Sequence, residues 1–515
     1  MNQESCWPAS SLDRVLLAIV VLFPFLALGT PPLFDLDEGA FTAATTEMFL
    51  RGDFLSTYLL GEPRYDKPIL IYWLQAAAVS LLGSGSEFAW RLPSALASSL
   101  WILATYGFVA KLLNHRAGLA AALIIATAAG LTLITHAATA DALLNLCLAC
   151  AGYATWLWLR ERKQRWLYAA WAAMALGFLA KGPIALLIPA GTLFLWCATR
   201  RDWRSFFSWL LAPGPLLLFL AVAVPWFAIQ AWHEGPGFLT GFFFKHNLSR
   251  FDMPMQGHGG GLFYYIPVVL LSLLPHTALL LIAGARIKAV WNDELLRFGL
   301  LWFLLAFITF SLSGTKLPHY VYYGYGGLVV ILAAMAGEKA ARLLLALTGS
   351  ATFALLLALP SLLDQAVAKL KPDDLLLTQG LPAHFGATYW LWCGGALVIT
   401  LLPLLLRSIP SRLALCANGL LAGATVALFL LPIVGQVQQG PVKQAGRLAR
   451  DLHGPLLLYG INTPSLQTYA GRQVEKRPPR AGDLVLTRES RLAELPANEV
   501  VFRERSYVLA RIKGP

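Results

Sequence analysis

Long apolar runs separated by short Lys/Arg clusters fill the chain as far as residue 434 and leave few architectures open to it. A run of about 20 apolar residues crosses the roughly 30 Å hydrocarbon core of a bilayer as a helix, because a helix satisfies its own backbone there. Hydrophobic residues make up 57% of the chain and charged residues 13%, with a mean hydropathy of +0.61. A water-soluble fold would leave much of that apolar surface wet. The sequence therefore predicts an all-α polytopic membrane protein.

The basic clusters Lys111–Arg116, Arg160–Arg165, Arg200–Arg204, Arg286–Arg297, Glu338–Arg342 and Arg407–Arg412 recur after pairs of apolar runs, and the positive-inside rule assigns them to the cytoplasm. Spans then fall at 14–30, 89–112, 117–135, 142–159, 166–180, 184–198, 209–231, 262–283, 298–313, 320–336, 343–361, 388–406 and 413–434, about 13 helices, with the N-terminus inside and the C-terminus outside. The run Val15 to Leu28 leads into Thr30-Pro31-Pro32 rather than a small-residue cleavage site, so it reads as a retained first span. One apolar segment, Pro68 to Gly83, is left over. Counting it as a span would put Lys111–Arg116 on the wrong side, so it reads as an interfacial or re-entrant helix, a short true span being the alternative.

The formal net charge of +12 is scattered between apolar runs, which fits this topology and contact with anionic lipid rather than a nucleic-acid partner. Six cysteines, Cys6, Cys147, Cys150, Cys197, Cys393 and Cys416, outline neither a disulfide framework nor a zinc ribbon. Cys147 and Cys150 have CxxC spacing but lie in an apolar helix, where they read as small packing residues.

The topology gathers the polar chemistry on the outer face. Residues 1–434 form the transmembrane unit, with outer loops 31–88 and 232–261. Residues 435–515 return to ordinary polarity and read as a small extracytoplasmic α/β domain. In it an amphipathic helix, Val442 to Leu452, precedes strand-like runs at Leu456–Tyr459, Asp483–Thr487, Val500–Arg503 and Tyr507–Ile512. This domain holds no glycine-rich phosphate loop and no nucleophile motif, so it is assigned no chemistry.

Asp35, Asp37 and Glu38 stand together just after the first span. A carboxylate at a membrane face must stay wet, find a cation or serve a ligand, and adjacent residues divide such roles because their side chains point apart. Asp37 and Glu38 are therefore candidate catalytic groups, as general base or as orienter of a sugar hydroxyl. Arg64 and Lys67 precede the apolar helix that starts at Pro68, a placement that suits either a lipid phosphate or simple snorkelling. Asp141 reads as a helix cap or as a further catalytic carboxylate, and Lys181 as a helix-end anchor. The loop 232–261 combines His233, Glu234, Lys245, His246, Arg250, Asp252 and His258 with aromatics suited to sugars and lipid headgroups. His246 and His258 are candidate ligands for a divalent metal, although their spacing matches no standard site. Lys316, His319 and Tyr320 interrupt a later pair of spans on the same side.

In this order the motifs resemble the lipid-linked-sugar transferases of the GT-C class. The nearest group is the bacterial aminoarabinose lipid A transferase (ArnT) group, within the dolichyl-phosphate-mannose protein mannosyltransferase-like superfamily. The resemblance covers most of the chain. It rests on Asp37-Glu38 with Arg51-Gly52-Asp53, Asp66-Lys67-Pro68 with Tyr72-Trp73, Thr139 and Asp141, Lys181-Gly182-Pro183, Pro225-Trp226, Phe242 to Phe251, and Ser311 to Tyr320. It implies inverting transfer of an aminoarabinose-like or other sugar from a polyprenyl-phosphate donor to lipid A or another envelope glycan, at the periplasmic face of the bacterial inner membrane. It also implies that Asp37 is the central carboxylate and that Lys67 contacts the polyprenyl phosphate. The family's lysine-proline-tyrosine stretch maps onto Lys316, Pro318 and Tyr320, with Tyr320 near the donor phosphate, and Arg64, Lys316 or Arg250 would assist Lys67 in binding it. No nucleotide cofactor is expected. The chain departs from the group at Ala40, where relatives carry an arginine, at Asp66, where they carry a glutamate, and at His258, which is followed by Gly259 rather than a second histidine.

Two other readings remain at this stage. One is a transferase that moves the sugar onto protein hydroxyls. The other is a transporter of a polyprenyl-linked substrate, which would place its ionisable residues in broken helices near mid-membrane, whereas here they gather at one face.

Overall fold

Every apolar run named above folds as helix, and what varies is how far each helix continues before a proline or glycine stops it. The computed structural model describes residues 10–248, 259–367 and 369–514, with side chains described as far as 245 in the first stretch. Among these residues, seven helices are long and apolar enough to cross a membrane: Glu87–Leu112, Asp141–Glu161, Pro213–His233, Glu294–Leu312, Ala341–Val367, Ala387–Leu405 and Ser411–Arg450. Two bent pairs bring the number to nine. The protein is a multi-pass membrane protein.

Of the remaining expected spans, 166–180 folds as Gln164–Lys181 and 184–198 as Ile184–Arg200, while two others are shortened for local reasons. The run 14–30 folds as Ser11–Leu22 followed by a 3-10 turn at Phe23–Phe25, because Pro24 has no N–H with which to continue the ladder. The run 320–336 opens with a 3-10 turn, Pro318–Gly324, and is α-helical only over Tyr325–Met335. Leu70–Leu82, 13 residues, is about 20 Å long, less than the hydrocarbon core, in keeping with its treatment as a non-spanning helix.

The two bent pairs, His115–Thr127 with Ala129–Thr135 at 66° and Tyr265–Ser272 with Thr277–Ala285 at 117°, break beside one another. Broken backbone in an apolar interior needs partners. The Ala129 N–H donates to the Leu274 carbonyl at 2.9 Å, Thr348 Oγ1 donates to the Pro275 carbonyl at 3.0 Å, and Thr127 Oγ1 lies 2.9 Å from His276 Nε2. Elsewhere the bundle closes on small residues. A Cβ added at Gly327 would stand 2.4 Å from the Gly299 carbonyl oxygen, so that crossing admits only glycine. The opposite surface is apolar, with Leu217, Leu391, Val398 and Leu405 exposed, as lipid contact requires.

Two small sheets stand outside the bundle. A hairpin pairs β1 (Tyr58–Leu59) with β2 (Glu62–Pro63). The second sheet is five-stranded, β3 (Leu456–Leu458), β4 (Val474–Glu475), β5 (Leu484–Arg488), β6 (Asn498–Glu504) and β7 (Tyr507–Ile512), in the order β4-β3-β5-β7-β6. β3 runs parallel to β4 and β5, whereas β7 is antiparallel to β5 and β6. Leu456, Leu458, Leu484, Leu486 and Leu509 pack on Val442, Ala445 and Ala449. Those three residues belong to the 40-residue helix Ser411–Arg450, which runs from the apolar region into the polar one through a π-helical turn at Val426–Leu430.

Candidate active site

The helix Asp37–Arg51 begins with two acids, and successive helical side chains point apart, so one must face inward. That one is Glu38. Its buried carboxylate is met by Arg91 at both oxygens, Nε to Oε1 at 2.7 Å and Nη2 to Oε2 at 2.7 Å. It also accepts the Phe34 N–H at 2.9 Å and the Ala138 N–H at 2.6 Å. Arg91 uses its other donors on the carbonyls of Leu28, Pro31 and Pro32. Glu38 was expected to be catalytic, but with its oxygens filled it holds the start of this helix to the segment before it. Arg91 was not singled out in advance. Its signal was a cation within the apolar span 89–112, where an unpaired charge is costly.

Asp37 has the opposite environment. It is exposed in the first turn, where the helix dipole favours an anion. Among the described residues no hydrogen bond or ion pair holds its carboxylate. Two residues earlier, Asp35 accepts the Ser465 N–H at 3.0 Å and the Ser465 hydroxyl. Burial pushes the Asp35 carboxyl up to about 7, against the pull of those hydrogen bonds.

That shift has a sign. A carboxyl whose folded-state pKa is raised contributes stability in full below its ordinary range, and the contribution is lost as pH rises through about 7. The unfolding temperature of the wild type should therefore fall as pH rises from about 4 to 7, and Asp35→Asn should flatten that slope. An unchanged slope in the variant would remove Asp35 as its source.

The hairpin delivers the cations. Thr57 and Arg64 exchange bonds across it, the Arg64 N–H to the Thr57 carbonyl at 2.8 Å and Thr57 Oγ1 to the Arg64 carbonyl at 2.7 Å. The Arg64 guanidinium grips Asp66 through Nε at 2.6 Å, donates to the Ala40 carbonyl, and lies over the rings of Phe41 and Tyr72. A cation thus abuts the first turn of the Asp37 helix at Ala40. Lys67 Nζ donates to the Asp66 carbonyl at 3.0 Å and stands 3.7 Å from its carboxylate.

A second cluster centres on Asp141, the first residue of Asp141–Glu161. It accepts from Lys181 Nζ and, at 3.0 Å, from the Tyr323 hydroxyl, while Thr139 lies at 3.3 Å and His319 Nε2 at 3.6 Å. Lys181 also lies over the rings of Tyr320 and Tyr323. It ends its helix at Gly182, whose φ of +80° and contact with Phe242, 2.6 Å from an added Cβ, admit no side chain. Burial pushes the His319 imidazole below its usual range, and Asp37 and Lys67 act on it as well as Asp141 and Lys181. Charged groups of both clusters therefore act on His319.

Tyr320 is buried in the second cluster, its ring 5.0 Å from that of Phe310. Lys316 stands apart. Its ammonium donates to the Ser313 carbonyl, and among the described residues no hydrogen bond ties it to either cluster. Arg250, His258 and the His246 side chain lie outside the described residues, and among those described no three His, Cys, Asp or Glu are grouped to hold a metal ion. Lys181, His319 and Tyr323, which complete the Asp141 cluster, were not among the expected site residues. Their signal was the recurrence of lone polar residues at outer span ends.

Residues 66–228 match the family model of dolichyl-phosphate-mannose-protein mannosyltransferases. The chain is 29% identical over 364 residues to the undecaprenyl phosphate-alpha-4-amino-4-deoxy-L-arabinose arabinosyl transferase of Edwardsiella ictaluri, covering 67% of this chain and 65% of that one. It is 30% identical over 315 residues to an uncharacterized protein of Aquifex aeolicus, covering 61% and 71%. Its fold matches the crystal structure of ArnT from Cupriavidus metallidurans bound to undecaprenyl phosphate, with a TM-score of 0.81, 22% identity and coverage of 99% and 100%. The chain belongs to the ArnT-like GT-C superfamily. It spans 65% and 60% of the length of two curated arabinosyl transferases that it matches. The residues matched by the family model take in Lys67, Arg91, Asp141 and Lys181, while Asp37 lies before them and His319 after them.

Proposed function

We propose that this chain is an inverting glycosyltransferase that moves a sugar from a polyprenyl-phosphate donor to lipid A or another envelope glycan. On this reading residues 1–434 are the membrane unit and 435–515 a periplasmic domain, and transfer takes place at the periplasmic face of the inner membrane. The observation that carries it is the exposed Asp37 carboxylate, unpaired among the described residues, at the start of a helix whose first turn is gripped by Arg64 at the Ala40 carbonyl. The names of the curated relatives support the donor class, since they specify undecaprenyl phosphate.

The chemistry follows from the leaving group. The bond between the anomeric carbon and the phosphate oxygen breaks, and the electron pair leaves with the polyprenyl phosphate. Lys67 and Arg64 stabilise that anion as it departs, and fixed charges do so without reorganising. The acceptor oxygen attacks the opposite face of the anomeric carbon, which inverts it. A hydroxyl acceptor gives its proton to Asp37; a phosphate acceptor has none to give, and Asp37 then orients it or steadies the developing positive charge on the sugar ring. Asp141, held by Lys181 and Tyr323, fixes the cationic wall rather than reacting.

Mass spectrometry of envelope lipid and glycan from cells with and without the protein tests the function. An added sugar is expected only with the protein, and identical profiles would refute the reading. Lys67→Ala should weaken donor binding about 10- to 100-fold, the range of a charge-assisted hydrogen bond. Acceptor affinity should change little. Equal losses on both substrates would make Lys67 a membrane anchor instead.

A further inference from the structure

Residues 435–515 carry no chemistry of their own, yet they close around the tip of the hairpin that brings Arg64 to the Asp37 helix. The turn of that hairpin is Leu60-Gly61, between the paired residues Leu59 and Glu62. Both turn residues have positive φ, +55° and +89°, the geometry of two-residue turns that match the twist of a hairpin. Leucine adopts it at a cost that glycine does not bear. What Leu60 gains is burial: it is 5% exposed and belongs to the apolar cluster of Val442, Ala445, Leu456 and Leu484. The tip is thus plugged into the core of the sheet domain.

Glu47, on the helix Asp37–Arg51, holds the same turn by its polar groups. It is fully buried, and a carboxylate so placed has to be filled with donors. Arg51 supplies Nε and Nη2 at 2.9 and 2.7 Å. The Gly61 N–H donates at 3.2 Å, Gln467 Nε2 at 3.2 Å and Gln473 Nε2 at 3.3 Å. Gln467 lies on the short helix Ser465–Ala470 and donates to the Ala43 carbonyl as well, at 3.0 Å. One carboxylate therefore joins the Asp37 helix, the hairpin turn and the sheet domain. A glutamine there would offer a single acceptor oxygen and turn its own NH2 toward donors.

The base of the hairpin is fastened to the same helix, where Arg64 donates to the Ala40 carbonyl. Ala40 and Glu47 are about two helical turns, or roughly 10 Å, apart. A ribbon held only at its base can swing about that point, whereas one held at both ends keeps its angle. Glu234 braces the hairpin away from its turn, through the Tyr58 and Tyr65 hydroxyls at 3.1 and 2.9 Å. Lys67 is placed differently, by the helix Leu70–Leu82 that follows it, where Ile71 and Tyr72 are buried.

We infer that Glu47 is a positioning residue for the proposed transfer: with Leu60 it docks the hairpin turn on the sheet domain and so fixes the Arg64 guanidinium relative to the Asp37 carboxylate. The inference rests on the glycosyl-transfer reading and gives residues 435–515 a part in it. A cation fixed in place stabilises the departing phosphate without reorganising, and a misplacement of about 1 Å costs about 100-fold in rate. Binding of the phosphate, which Lys67 serves from its own helix, asks less of the hairpin.

The test uses the full chain in lipid nanodiscs. Glu47→Gln removes the anion, and Leu60→Gly removes the plug while leaving a glycine pair that a hairpin turn accepts. Each should slow turnover at saturating donor about 10- to 100-fold, on the donor and acceptor that the envelope profiles identify. Undecaprenyl phosphate affinity should change little. Amide hydrogen exchange should quicken across residues 57–66 and stay as it is in the helix Glu294–Leu312, which reports that the bundle is folded. Moving the carboxylate across its hydrogen bond, by Glu47→Gln together with Gln473→Glu, should recover much of the lost rate. Turnover within a few-fold of wild type, unchanged exchange at the hairpin, or a loss confined to undecaprenyl phosphate affinity would overturn the assignment. Quickened exchange throughout the bundle, or a swap no faster than Glu47→Gln alone, would overturn it too, since Glu47 would then serve stability only. If the envelope profiles show no added sugar the transfer reading falls, and exchange at 57–66 by itself upholds or overturns the docking.

Discussion

Asp37→Asn should lower transfer about 10²- to 10⁴-fold, the range general acid–base groups supply, while leaving the protein folded, inserted and able to bind polyprenyl phosphate. The structure separates these effects cleanly. The Asp37 side chain is exposed and makes no described hydrogen bond, so the amide costs the fold little. Its neighbour Glu38 already anchors the helix. Turnover from a synthetic polyprenyl-phosphate sugar and an unfolding scan of the same preparation check the two halves. Activity within a few-fold of wild type would remove Asp37 from the reaction. A loss that tracks a fall in unfolding temperature would make it structural.

Arg91→Met is expected to have the largest effect on stability. Removing one member of a buried ion pair leaves the other uncompensated, which costs about 3–5 kcal/mol. Here it also strips the carbonyls of Leu28, Pro31 and Pro32 of a donor. Activity should be lost with the folded fraction. Glu38→Gln in the same background removes the stranded charge and should restore part of the stability. If the double variant is no better than the single, the stranded Glu38 charge is not what destabilises the protein, and the lost carbonyl contacts carry the cost.

The helical fold was legible because its driving term is additive along the sequence: each apolar residue favours hydrocarbon, and the runs announce themselves. What the runs do not announce is where a helix stops inside them. Pro24, Pro318 and the meeting of Ala129 with Leu274 shorten or bend spans through backbone hydrogen bonding, which an apolar count does not register. The site was legible in part for the same reason. Carboxylates and cations at span ends are conspicuous, so Asp37, Arg64, Lys67 and Asp141 could be named. Which of Asp37 and Glu38 faces inward depends on the partner at Arg91, 53 residues away along the chain. The grouping of Lys181, His319 and Tyr323 about Asp141 depends on three separate inter-helix turns converging. Helix Ser465–Ala470 escaped notice because six residues carry too short a pattern to read.

That short helix has a consequence for biogenesis. Ser465 holds Asp35, Gln467 Nε2 donates to the Ala43 carbonyl at 3.0 Å, Thr468 meets Thr42, and the Tyr469 hydroxyl receives the Leu33 N–H at 2.7 Å. The segment that leads into the Asp37 helix therefore leaves the ribosome 430 residues before the clamp that holds it. At roughly 5–20 residues per second that interval is roughly 20–90 s. Through it the emerging protein is threaded into the bilayer with that helix unlatched, and a ribosome that stalls before the clamp leaves an inserted bundle with Asp37 on an unanchored segment.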